Sequence, residues 1–190
     1  MSNTAVGPDP VHTIRHARAG DFETVRRHCG MVQEAHATHM PEVFRPTVEW
    51  DFPFAHFEGY LKGHDLLLIA EVDGKPVGSL LATLGTVGDQ LHFLPARCVT
   101  IWSVFTEPAL RRRGIARALI SAAAEWADAK DADRIDLSVW SFNEEALALY
   151  RKLGFAVART DMAIKPSDAL ARCGRGHLPR PHLPKWLARR

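Results

Sequence analysis

Thr106-Glu107-Pro108-Ala109-Leu110-Arg111-Arg112-Arg113-Gly114-Ile115-Ala116-Arg117-Ala118-Leu119 reads as the end of a strand, a tight basic turn and the start of an amphipathic helix. Such a turn leaves several backbone N–H groups without intrahelical acceptors, with the positive end of the helix dipole behind them. Together they make a socket for an anion. Gly114 lets the backbone approach a bulky group, and Ala116 does nearly the same. A pyrophosphate is the anion that suits this socket. An arginine-rich surface turn before an ordinary helix is the alternative reading of the same residues.

The spacing does not fit the two common nucleotide motifs. No Gly-x-x-x-x-Gly-Lys-Ser/Thr run occurs, and the dinucleotide fingerprint would need three glycines where only Gly114 stands. The run Arg111-x-x-Gly114-x-Ala116 instead resembles the Arg/Gln-x-x-Gly-x-Gly/Ala signature of the GNAT acyltransferases. That family uses the signature to hold the pyrophosphate of acetyl-CoA. Arg112 is a departure, because many family members carry glycine there.

A second motif lies downstream. Ile135-Asp136-Leu137-Ser138-Val139-Trp140 alternates as a strand does, and Asn143 to Phe155 follows as Asn-Glu-Glu-Ala-Leu-Ala-Leu-Tyr-Arg-Lys-Leu-Gly-Phe. Asn143 is a good helix cap. Ala146, Leu149, Tyr150 and Leu153 share one helical face, and Gly154 is a natural stop. This segment resembles the family's strand–Asn–helix–Tyr-x-x-Leu-Gly-Phe signature. Both motifs stand in the family's order and at about its separation.

The resemblance implies a fold and a site. The fold is α/β, a mixed and mostly antiparallel central sheet with two splayed parallel strands and helices on both faces. The splayed strands would be Arg97–Phe105 and Arg134–Trp140. The pantetheine arm of acetyl-CoA would lie between them, paired with the backbone of Val104 and Thr106. The Phe105 N–H would face the thioester oxygen. Arg111, Arg112, Arg113, Gly114, Ile115, Ala116 and Arg117 would take the pyrophosphate, chiefly through main-chain groups. Asn143 would contact the arm as well as cap its helix. Tyr150 matches the tyrosine that protonates the leaving thiolate. Its other reading is an aromatic packed on the inner face of its helix.

The remaining sequence bounds the class of protein. The chain has 190 residues, 46% apolar and 24% charged, as in an ordinary globular domain. A net charge of +2 argues against nucleic acid as a partner. Cys29, Cys98 and Cys173 are scattered and odd in number, which argues against a disulfide framework or a thiolate zinc site. No apolar leader precedes Asp9, and Leu66–Ala70 is too short to span a bilayer. The expected compartment is the cytoplasm.

The expected organisation is a polar segment 1–10, an acetyltransferase domain 11–165 and a basic Pro/Gly-rich extension 166–190. Thr13–Ala17 reads as a strand, and a helix starts at Phe22. Pro41, Pro46 and Pro53 break the next region into short pieces. Leu66–Val72 and Val77–Leu84 read as a hairpin about Asp73-Gly74. Gly85–Pro95 reads as a loop. Arg112–Ala129 and Asn143–Leu153 read as helices, and Ala156–Lys165 as a last strand. Gly174 to Pro184 cannot form a helix or an inner strand. The extension leaves a homodimer open.

The general base is less legible. The strand before the basic turn holds Thr100-Ile101-Trp102-Ser103 and no carboxylate. Glu107 follows it and is a candidate, though also a natural turn residue. His36 is a second candidate, since a histidine titrating at about 6.5 can accept an amine proton. His36 and His39 lack a third ligand at matching spacing, so no metal is expected. Trp50, Phe52, Phe54, Phe57, Trp102 and Trp140 read as core residues that also include candidates for an acceptor pocket.

The reading that results is an acetyl-CoA-dependent N-acetyltransferase that acts on a primary amine, a small molecule, by direct transfer in a ternary complex. Protein or peptide N-acetylation, and a non-catalytic acyl-CoA-binding regulatory domain, are the alternatives.

Overall fold

Alternating apolar runs between Leu66 and Thr106 form the centre of a five-stranded sheet in the order β1-β2-β3-β4-β5. The computed structural model describes residues 12–88 and 94–173, which fall into two compact units divided between Gly154 and Phe155. The strands of the first unit are β1 (His12–His16), β2 (Leu66–Val72), β3 (Lys75–Val87), β4 (Ala96–Thr106) and β5 (Arg134–Leu137). β1 to β4 are antiparallel neighbours, and β5 joins β4 in parallel. The hairpin turns at Asp73-Gly74, as its sequence indicates, with Val72 opposite Lys75.

The helices are α1 (Phe22–His39), α2 (Phe54–Leu61), α3 (Ile115–Asp128) and α4 (Glu144–Lys152). Successive strand residues face opposite sides of a sheet, so Gly78 and Ser79 report the two layers. The Ser79 hydroxyl lies 3.0 Å from His28 Nδ1 of α1. A Cβ on Gly78 would instead meet Ile115 and Leu119 of α3 at 3.3 Å, and the Phe105 carbonyl at 2.8 Å. Only glycine permits that approach. On the α1 side, Val25, Cys29, Phe52, Phe57, Leu67, Ile69 and Leu81 pack into one apolar cluster. On the α3 side, Ile115, Leu119 and Ala123 are buried. Each large side chain fully buried in this way contributes about 1.5–3 kcal/mol.

Several boundaries differ from the sequence expectation. β3 runs to Val87 rather than Leu84, because Gly85, Thr86 and Val87, expected in a loop, pair with Cys98, Arg97 and Ala96 of β4. α3 starts at Ile115 rather than Arg112, because Arg112 and Gly114 are both left-handed, with φ of 65° and 81°. β5 stops at Leu137 rather than Trp140, where its ladder to β4 ends. The expected last strand, Ala156–Lys165, is not formed. Residues 155–165 carry no regular structure, and Val157, Met162 and Ile164 are exposed. Alternation alone does not make a strand when neither a ladder nor a core holds the segment.

In the second unit, α5 (Pro166–Cys173) is a short helix that the sequence reading did not anticipate. The Gly174–Pro184 run lies outside the described residues. No described helix is long and apolar enough to cross a membrane.

Candidate active site

The strands part at a defined point. Ile101 opposite Leu137 is the last pair of the β4–β5 ladder, yet β4 continues to Thr106. Leu81 pairs with Ser103 while Ala82 pairs with Ile101, so Trp102 is an extra residue in β4. A bulge of this kind bends the strand and increases its twist. Beyond Ile101, the edge of β4 that faced β5 has no strand partner among the described residues. Ser103 Oγ and Thr106 Oγ1 are buried there without a hydrogen-bond partner. These hydroxyls belong to opposite faces of the sheet, with Leu81 and Gly78 respectively. It is the unpaired backbone edge of β4 that suits an extended, amide-containing ligand added as a strand would be. Val104, Phe105 and Thr106 lie on this segment.

β4 leads into the basic loop. The Glu107 N–H donates to the Val77 carbonyl at 2.8 Å, and a short 3-10 turn follows at Pro108–Leu110. Arg111 is extended, Arg112 and Gly114 are left-handed, and Ile115 opens α3. Backbone that switches hand in this way forms anion-binding concavities, reinforced here by the first turn of a helix. The Arg111 and Arg112 guanidinium groups lie 3.9 and 3.8 Å from the Glu145 carboxylate at the start of α4. These exposed pairs are weak. Arg113 and Arg117 belong to the same loop and first helical turn. The unpaired β4 edge and the left-handed loop therefore suit a ligand with an amide-bearing arm and a phosphate group.

Glu107 is engaged from α1. Its Oε1 lies 2.6 Å from Arg27 Nη2. The same Arg27 nitrogen is 3.1 Å from His28 Nε2. A guanidinium only donates, so Nε2 must accept, and the ring proton sits on Nδ1, directed to Ser79 Oγ. His28 is fully buried and stacked on Phe105, with ring centroids 4.3 Å apart. Burial, reinforced by the Arg27 charge and opposed by Glu107, pushes its pKa down to about 4. It is a neutral ring that joins α1 to β3 and β4.

His36 occupies a different neighbourhood. It is eight residues further along α1, about 12 Å of helix axis. It stacks on Phe44 at 4.7 Å and meets Phe142 edge-on at 5.8 Å. His39 stacks on Phe142 at 4.5 Å, and Phe44 meets Trp140 at 5.1 Å. Burial, and then the neighbouring His39, lower the His36 pKa. Its ring is therefore neutral at pH 7 and able to accept a proton.

α4 begins where its cap predicts. Asn143 Oδ1 accepts from the Ala146 N–H at 3.1 Å. Tyr150 is half-buried on this helix, and burial raises its phenol pKa. At neutral pH it holds its proton and can donate it.

The structure thus gathers Val104–Arg117 at the parted end of β4 and places Glu107 and His36 in separate clusters. Of the aromatic candidates, Phe52 and Phe57 are core residues, Trp50 packs against that core, and Phe54 packs on Phe22. Trp102 and Trp140 are exposed. Arg27, His28, Ser79 and Phe142 were missed. No three-residue grouping of metal-capable side chains occurs among the described residues.

Comparison with known proteins agrees with this geometry. The acetyltransferase (GNAT) family model matches residues 30–155. The L-amino acid N-acetyltransferase AaaT of Escherichia coli (strain K12) is 29% identical over 151 residues, 77% of this chain and 84% of that protein. The mycothiol acetyltransferase of Clavibacter michiganensis subsp. michiganensis (strain NCPPB 382) is 31% identical over 121 residues, 63% of this chain. The chain spans only 34% of that relative's length. A tetramutant of the BH1408 protein of Bacillus halodurans superposes with a TM-score of 0.72 at 26% identity, covering 80% of this chain and 99% of that one.

Proposed function

The chain belongs to the acetyltransferase (GNAT) family, and on that premise we propose that it transfers an acetyl group from acetyl-CoA to a primary amine of a small molecule. The observation that carries this reading is the continuity of one segment. The bulged β4 edge from Trp102 to Thr106 runs directly into the left-handed Arg112–Gly114 loop and α3. One ligand with an amide-bearing arm and a pyrophosphate is held along that whole length.

The transfer is direct, with donor and acceptor bound together. The amine nitrogen attacks the thioester carbonyl carbon, a C–N bond forms, and the C–S bond breaks. The Glu107–Val77 pairing makes Ser79 and Phe105 the next hydrogen-bonded pair, which directs the expected donor, the Phe105 N–H, into β3. The Val104 N–H, on the free edge of β4, faces the carbonyl oxygen instead as it gains charge. The proton leaving nitrogen goes to His36, directly or through water, since its ring is neutral. Tyr150 supplies a proton to the departing thiolate. Glu107, held by Arg27, keeps the start of the loop fixed to α1. Arg111, Arg112, Arg113 and Arg117 add charge-assisted contacts to the phosphates.

Release of free thiol from acetyl-CoA across a panel of amines and peptides tests the reading. Turnover with small amines supports it. Turnover confined to peptides would move the acceptor class. Cofactor binding without turnover would make the chain a binding domain.

A further inference from the structure

Two tryptophans flank the point at which β4 and β5 separate. Trp102 is the residue immediately after Ile101, and Trp140 follows Leu137 by three positions. Trp102 is 67% exposed and Trp140 is 39% exposed. A large aromatic side chain ordinarily serves a core or an interface, so neither exposure is explained by packing.

The side of the sheet that Trp102 occupies follows from β3. Ser79 faces His28 on α1, and Leu81 lies in the α1 core cluster. By alternation, Thr83 shares that face. The Trp102 indole N–H donates to Thr83 Oγ1 at 2.8 Å, so the ring lies on the α1 face and is held in one orientation. Trp140 belongs to a ring cluster built on the same helix, through Phe44 and His36. Both tryptophans follow the last rung of the parallel β4–β5 pair, Trp102 within β4 and Trp140 beyond the end of β5.

The charge pattern narrows the occupant. The segments that carry these rings, 34–45 and 138–142, contain only Glu34, Glu42 and Arg45 as charged residues. A polycationic acceptor would call for a cluster of carboxylates. These segments offer ring faces instead.

We propose that Trp102 and the Phe44–Trp140 pair form the acceptor subsite, and that the acceptor is an amine carried on an aromatic group. This rests on the acetyltransferase reading given above. Trp102 supplies a fixed floor for the acceptor's ring, and Phe44 and Trp140 supply a wall. The amino group then projects toward the parted strands, where the thioester lies.

The test separates binding from turnover. With acetyl-CoA bound, 2-phenylethylamine, butylamine and spermidine are titrated calorimetrically into the wild-type protein and the Trp102→Ala, Trp102→Phe and Trp126→Phe variants. Thiol release is measured in parallel. Trp102 is exposed, so its replacement spares the core. Trp126 stands on α3, which packs on β1 and β2 on the other layer of the sheet, and serves as the control. The expected result is about tenfold or more tighter binding of 2-phenylethylamine than of butylamine. Trp102→Ala abolishes that preference, while Trp102→Phe and Trp126→Phe keep most of it. Equal affinities for the two amines, tighter binding of spermidine, or a preference that survives Trp102→Ala would overturn the subsite. A ring preference with no thiol release from any amine would leave the subsite standing and remove the acetyltransferase reading.

Discussion

Arg27 Nη2 lies 2.6 Å from Glu107 Oε1, which ties α1 to the residue where β4 becomes the anion-binding loop. The pair is partly exposed, 49% and 23% for the two side chains, so its contribution to stability is small. Its consequence is positional. Glu107→Gln removes the charge pairing and keeps the shape. The Michaelis constant for acetyl-CoA should rise several-fold, with kcat nearly unchanged. A loss of kcat of about a hundredfold or more would instead identify Glu107 as the general base.

His36→Gln should behave in the opposite way. The ring accepts the amine proton, so kcat falls and the acid limb of the pH–rate profile disappears. In the wild type that limb lies below the ordinary histidine value, because burial and His39 lower the His36 pKa. Unchanged pH profiles in the two proteins would remove His36 from the chemistry.

Gly114 is left-handed at φ 81°, and a Cβ there would meet nothing closer than His12 at 4.0 Å. The cost of a side chain is therefore conformational, about 1–3 kcal/mol for a bulky residue. Gly114→Val should weaken acetyl-CoA binding in calorimetry more than Arg113→Ala does. Arg112→Gly should bind within a few-fold of wild type, because Arg112 already occupies a conformation that glycine adopts freely. Equal losses in Gly114→Val and Arg113→Ala would contradict the view that backbone shape governs binding.

Tyr150→Phe keeps the ring and deletes the hydroxyl. Acetyl-CoA affinity should change little, and kcat should fall about tenfold, the low end of general acid catalysis for a good leaving group. An unchanged kcat, with chemistry rate-limiting, would make Tyr150 a packing residue.

Buried His28 links stability to pH. Its folded pKa of about 4 lies below the ordinary 6.5, so the unfolded chain binds the additional proton between these values. Stability is full above pH 6.5 and falls as pH drops toward 4, by on the order of 3 kcal/mol. Urea unfolding across this range should show a steeper loss in the wild type than in His28→Gln. Parallel curves would show that His28 is not held neutral by the fold.

The parts legible in the sequence are those whose cause is local. Gly114 announces the loop, Asn143 announces the cap it forms with Ala146, and the apolar spacing of α3 and α4 announces a buried face in the first and a half-buried one in the second. What escaped depends on distant partners. His28 looks like any helix histidine until Ser79, 51 residues away, meets it across the layer. Trp102 looks like a core residue because alternation cannot register a bulge. Residues 156–165 alternate as a strand does, yet form no ladder.

The central claim is tested most directly by incubating the protein with acetyl-CoA and 2-phenylethylamine and weighing the amine by mass spectrometry while titrating free thiol. The account predicts an amine heavier by one acetyl group, formed in equal amount to the thiol and lost in Gly114→Val. Thiol released without acetylated amine, or neither product in the presence of bound acetyl-CoA with this and every other amine tried, would contradict it.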